Sequence, residues 1–214
     1  MSDLELFIGN KKYSSWSFRP WIALTAKAVD FKENLQTFED DNYTKFRAFS
    51  PSGTVPVLRD DDLFVWESLA ILEYLADKFP DRGFWPEDPN ARARARSCAN
   101  EMHGGFSSIR SECPMNMARA VRPLAVSNDV KRDVARIEEI WDNALQTSGG
   151  PFLFGDFCNA DAMFAPVVNR LEIYCLSEHP AVLAYSDTLK SLPAWKSWET
   201  AGRAESWIYE PDEA

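Results

Sequence analysis

The chain has 214 residues, 45% of them apolar and 26% charged, with 23 basic against 33 acidic side chains and a formal net charge of −10. Thirteen percent of the residues are aromatic, enough to fill a core and to exclude global disorder. The acidic balance does not suit a general nucleic-acid binder, whose affinity rests on neutralising phosphates.

Met1-Ser2-Asp3-Leu4-Glu5-Leu6 has no basic region followed by an apolar stretch, so no secretory leader is expected. No apolar run approaches the ~18 residues of a membrane helix. Leu4 to Ile8 reads as a short strand closed by Gly9-Asn10. Trp21 to Val29 has a helical rhythm in Ile22, Ala23, Leu24 and Ala26. Pro20 belongs in the opening turn of that helix, where its missing N–H costs little. Ser14, Ser15 and Ser17 then sit at or just before a helix N-terminus, where free N–H donors and the positive dipole end favour an anion. Plain N-capping uses serine in the same way.

Phe31 to Phe38 can hold a second strand. Val55-Pro56-Val57-Leu58, then Asp60-Asp61-Asp62, then Leu63-Phe64-Val65-Trp66 read as a hairpin with a polar turn. Pro56 cannot donate to a ladder, so it fits a strand start or an edge. Were its peptide bond cis, the backbone of Val55 would turn toward a bound peptide. Glu67 to Phe79 is a strong amphipathic helix. Glu67 and Ser68 at its start can take the ammonium and the carboxylate of one amino-acid head group. This order of elements fits a small α/β unit.

Residues 81–90 form a linker by their Pro, Gly and charge content. Beyond Ala91 the patterns are helical. Val130, Val134, Ile137, Trp141 and Leu145 form one helix face. Ala160 to Tyr174 is apolar nearly throughout and should be a buried centre. Pro193-Ala194-Trp195 opens a last helix, and the tail from Glu210 to Ala214 is expected to fray. Cys98, Cys113, Cys158 and Cys175 are well separated, and His103 and His179 are the only histidines. That spacing offers no metal site and fits reduced thiols in the cytoplasm.

Three segments taken together carry a resemblance: Tyr13-Ser14-Ser15-Trp16-Ser17-Phe18-Arg19-Pro20, then Thr54-Val55-Pro56-Val57-Leu58, then Trp66-Glu67-Ser68-Leu69-Ala70-Ile71. In this order they resemble the N-terminal half of cytosolic glutathione transferases. Phe154-Gly155-Asp156-Phe157-Cys158-Asn159-Ala160-Asp161 is similar to that family's later capping segment, with Cys158 where a Ser or Thr usually stands. The resemblance implies a thioredoxin-like domain over residues 1–80, the linker, and an all-helical substrate domain over 91–214. It also implies a homodimer with glutathione as co-substrate, a small electrophile as acceptor, and no nucleic-acid or membrane partner.

A free thiol has a pKa of about 8.5, and lowering it by about two units takes ~2.7 kcal/mol of differential stabilisation. A hydroxyl donor, backbone N–H groups and a helix dipole can supply this. By position the resemblance puts the catalytic hydroxyl on Ser14, with Ser15 and Ser17 as alternatives. Ser14-Ser15-Trp16-Ser17-Phe18-Arg19 is similar to the Ser-Ser-Cys-Ser-Trp-Arg of class zeta and to the serine turn of class tau. Trp16 occupies the cysteine position, which disfavours thiol exchange. Thr54, Val55, Pro56, Glu67 and Ser68 would hold glutathione, with Thr54 or Lys45 toward its glycine end.

Met102, His103, Phe106 and Arg110 are candidates for the acceptor site, although Met102 and Phe106 at helical spacing also suit a core. The zeta likeness suggests a maleylacetoacetate-type isomerase as an alternative. In Pro166-Val167-Val168-Asn169-Arg170-Leu171-Glu172-Ile173, however, Ile173 stands where that class has its carboxylate-gripping Arg. Arg170, three residues early, is expected on another helix face. A non-catalytic binding module of the same fold is the remaining alternative.

Overall fold

The structure, a computed structural model, describes residues 4–38 and 41–213. Strand β1 (Leu4–Gly9) leads to helix α1 (Ser15–Ala26), strand β2 (Lys32–Gln36), helix α2 (Asn42–Phe46), the hairpin β3 (Val57–Asp60) and β4 (Leu63–Trp66), and helix α3 (Ser68–Lys78). The sheet order is β2-β1-β3-β4. β1 runs parallel to β2, while β3 is antiparallel to both β1 and β4. Every residue of β1 is buried, as a central strand requires. This is a thioredoxin-like unit.

The rest is helical: α4 (Pro89–Gly104), α5 (Ser107–Glu112), α6 (Asn128–Ser148), α7 (Asn159–Ile173), α8 (Pro180–Ser191) and α9 (Pro193–Ala204), with single 3-10 turns at Pro80–Arg82 and Glu210–Asp212. Helix α7 is buried along almost its whole length and packs between α1 and α4. Asp161 in its first turn accepts from the backbone N–H of Cys158 (2.8 Å) and Leu153 (3.0 Å) and from the Tyr185 hydroxyl (2.9 Å). Asp161 is thus one half of a capping box, taking the Cys158 N–H, while the Cys158 side chain takes the Asp161 N–H where a hydroxyl oxygen usually would.

Two expectations fail here. Helix α1 begins at Ser15, so Pro20 lies inside the helix rather than in its opening turn. The start is set by polar pinning, not by the proline: the Ser17 hydroxyl takes the Gly9 N–H at 3.1 Å and the Ser14 hydroxyl at 2.8 Å. Over its described residues 210–213 the tail also docks instead of fraying, Ala214 lying outside the described residues. The Glu205 carboxylate accepts the backbone N–H of Lys11 (2.8 Å) and Lys12 (3.0 Å). The Trp207 carbonyl accepts from Lys12 Nζ at 3.2 Å, and the Tyr13 hydroxyl bonds the Glu213 carboxylate. Local sequence carries no sign of partners nearly two hundred positions away.

Helix α9 backs the turn between β1 and α1. Its Trp195 and Trp198 lie on the Phe18 ring, with centroids 5.2 and 4.8 Å away. Gly202 lets the helix approach: a Cβ there would meet the Lys11 carbonyl group at 3.0 Å.

Candidate active site

Two cavities meet at Trp16. One of about 370 Å³ is lined by Tyr13, Ser14, Ser15, Trp16, Arg110 and Arg170 among others. A smaller one of about 140 Å³ is lined by Trp16, Thr54, Val55, Pro56, Glu67 and Ser68. Trp16, Thr54 and Val55 border both, so the three segments singled out in the sequence form one continuous cleft. The Val55–Pro56 peptide bond is cis.

At the Glu67 end, Ser68 is the first residue of α3 and is buried, so the unpaired N–H groups of the first turn open on the small cavity. Glu67 itself has φ 69°, a conformation that costs a non-glycine residue roughly 1–3 kcal/mol and is typical of binding sites. Its carboxylate is exposed and lies 3.8 Å from His103 Nε2.

At the other end, Ser14 and Ser15 line the large cavity while Ser17 is fully buried behind them. The Ser14 hydroxyl is engaged by Ser17, and Ser15 Oγ accepts from an Arg170 Nη at 3.2 Å. Trp16 is flanked by cations. Arg19 lies 3.9 Å and Arg110 5.4 Å from its ring centroid, and His103 meets its edge at 5.4 Å. Burial, reinforced by the neighbouring Arg170 and Arg110, pushes the Arg19 guanidinium well below its usual range. Burial and Arg110 bring Arg170 down to about 10. Burial and Arg19 lower His103. Two guanidiniums flank the indole, and Arg170 reaches Ser15 on the wall of the same cavity, so basic side chains crowd this end of the cleft.

The acceptor candidates divide. Arg110 lines the cavity. His103 stands at the Trp16–Glu67 junction. Met102 and Phe106 are buried in the hydrophobic core, away from both cavities. Lys45 donates to the Thr37 carbonyl at 3.0 Å and lines neither cavity. Arg170 is not where the sequence comparison expected it. Residues three apart on a helix are neighbours on one face, and Arg170 reaches the cavity from one turn earlier, while Ile173 is buried. Sequence reasoning missed Tyr209 and Asp212, which complete the cavity wall from the docked tail.

Among the described residues no cluster of metal-binding side chains occurs, and no helix is long and apolar enough to cross a membrane.

Comparison with known proteins finds glutathione transferases and their relatives. A family model described as the N-terminal domain of glutathione S-transferase matches residues 13–78. A probable maleylacetoacetate isomerase of Caenorhabditis elegans is 28% identical, the match covering 85% of this chain and 87% of that protein. Glutathione S-transferase omega-2 of Rattus norvegicus is also 28% identical, with 87% and 75% covered. In fold, the chain is similar to a Burkholderia glutathione transferase homolog crystallised with bound glutathione (TM-score 0.74, 22% identity, 94% and 98% covered). It is also similar to a tau-class glutathione S-transferase of mango, Mangifera indica (TM-score 0.70, 21% identity, 92% of each covered). Residues 13–78 thus match the N-terminal domain of glutathione S-transferases, and the serine turn, the Val55–Pro56 segment and the Glu67–Ser68 helix start within that stretch converge on one cleft.

Proposed function

We propose that this protein is a glutathione transferase that holds glutathione along the Ser68–Val55–Ser14 cleft and presents its thiolate to an electrophilic small molecule. The observation that carries this reading is the continuity of the two cavities through Trp16, Thr54 and Val55. Glu67 takes the γ-glutamyl ammonium, and Ser68 with the first N–H groups of α3 takes its carboxylate. The backbone at Val55 pairs with the cysteinyl residue, which leads the sulfur toward Ser14 and Ser15.

There the thiolate meets hydroxyl donors, the N-terminus of α1 and the field of Arg110 and Arg170. Each stabilises the ionised thiol over the neutral one. The thiolate attacks an electrophilic carbon, forming a C–S bond, while the leaving group departs with its electron pair or a double bond takes up a proton. Ser14 is the hydroxyl we assign to the thiolate, its O–H swinging from Ser17 Oγ to the sulfur when glutathione binds, with Ser15 beside it.

The reading divides the chain into a glutathione-binding unit (1–80), a linker (81–90) and a substrate unit (91–214), and includes a cytoplasmic homodimer. The test is retention on immobilised glutathione followed by a conjugation assay over several electrophile classes. Failure to bind would sink the reading. Binding without turnover would favour a non-catalytic module. The similarity to maleylacetoacetate isomerases favours a second reading, reversible addition of the thiolate to a cis double bond, which a cis–trans conversion assay would separate from conjugation.

A further inference from the structure

Glu67 lines the small cavity with its side chain exposed, and it makes no capping bond to its own helix. Among the described residues, the basic side chain paired with it is His103, whose Nε2 lies 3.8 Å from the Glu67 carboxylate. The acid assigned to the ligand's ammonium therefore already has a neighbour that can take up a positive charge.

His103 is held in place. It lies in the last turn of α4, half-buried, with its ring edge on Trp16 at 5.4 Å. Its Nδ1 is buried and has no hydrogen-bond partner among the described residues. A proton there would have nothing to bond, so the neutral ring carries its proton on Nε2, toward Glu67. The charged groups around the imidazole are Arg19 on α1, Glu67 at the head of α3 and Arg110 on α5. Burial first, then Arg19 and Arg110, hold its pKa below the usual histidine value, while Glu67 opposes them.

We propose that His103 is a positioning residue that governs Glu67: the neutral ring leaves the carboxylate to the ammonium of glutathione, and the protonated ring claims it as an ion pair, so that glutathione binds less tightly in acid. The proposal rests on the glutathione reading above. Imidazolium and ammonium need the same carboxylate, and each repels the other across it. Binding of the tripeptide therefore favours loss of the His103 proton, and by linkage that proton weakens binding by the same factor. The bound state carries fewer protons, so affinity is full above the histidine pKa and falls as pH drops through it.

The probe is S-methylglutathione, whose sulfur does not titrate, followed by isothermal titration of the full chain at about pH 5 and about pH 7.5. Affinity should be about threefold weaker at the lower pH, the size expected of a pair open to solvent, and His103→Gln should remove most of that difference. Asp212 titrates in the same window but is present in both chains, so the comparison cancels it.

Proton NMR reads the same linkage without that variant. In a His179→Gln chain His103 gives the only imidazole signal. Its titration midpoint should fall by about half a pH unit when S-methylglutathione saturates the chain. N-glutaryl-S-methylcysteinylglycine, which lacks the ammonium, should leave the midpoint in place. An unmoved midpoint with S-methylglutathione, an equal shift with the glutaryl analogue, or a native pH dependence in His103→Gln overturns the proposal. A chain that binds S-methylglutathione with such a result keeps the transferase reading and loses only the role of His103. A chain that binds none at either pH loses the transferase reading, and this proposal with it.

Discussion

Among single residues, the serines of the β1–α1 turn have separable duties. Ser14 borders the cavity and Ser17 lies behind it, bonded to Gly9. Replacing Ser14 by Ala should lower kcat for conjugation by roughly ten- to a hundredfold, about 1.4–2.7 kcal/mol of transition-state stabilisation, with a much smaller change in glutathione affinity. Equal losses in both would show that the hydroxyl only holds the ligand. Glu67→Ala should do the opposite, weakening glutathione binding about tenfold while leaving the thiol pKa of bound glutathione in place, as read by thiolate absorbance. These residues were legible in the sequence because their local neighbours also carry turn and cap signals. Arg170 was visible but misplaced, because the helical repeat returns after three residues as readily as after four.

At the level of elements, the sequence periodicity located the strands and the long helices. What it misjudged were ends governed by side-chain bonds across space. The start of α1 depends on Ser17 meeting Gly9, and Pro20 gave the wrong marker. Helix α7 depends on Asp161, fully buried, its carboxyl pushed up by burial and held ionisable by the N–H groups of Cys158 and Leu153. Asp161→Ala would leave those donors and the Tyr185 hydroxyl without a partner, and should destabilise the fold by about 3 kcal/mol. A shift in urea midpoint at constant slope measures this.

Gly202→Ala tests the packing of α9. The gain in helix propensity is about 1 kcal/mol, but the Cβ would press on the Lys11 backbone at 3.0 Å. Overpacking of this kind costs about 1–3 kcal/mol, so a net loss is expected. A gain in melting temperature would show that α9 can recede.

For the molecule as a whole, charge couples the tail to the body. Burial, partly offset by Arg170 and aided by Glu213, pushes Asp212 up to about 6 from its ordinary 3.8. The titratable groups around it are Arg170 and Tyr174 near the end of α7, Tyr13 before α1 and Glu213 beside it, while Asn116 holds its backbone carbonyl. A carboxyl whose pKa rises on docking favours the docked state below its free pKa, and that advantage disappears as pH climbs through about 6. Backbone hydrogen exchange in residues 205–213, corrected for intrinsic rates, should therefore show firmer docking near pH 5 than near pH 7.5. Equal protection at both would contradict it. Sedimentation as a pure monomer would likewise remove the homodimer from the proposed function. Neither the docked tail nor the arginine cluster was readable from local sequence, since both join residues far apart in the chain.

The tie between Lys11 and Glu205 spans 194 positions. During translation the serine turn emerges long before the helix that braces it, so a half-made chain would meet cellular thiols with its grip on them unfinished. Competence to handle a reactive acceptor would arrive only once α9 and the segment after it had swung into place, late in the polypeptide's own assembly.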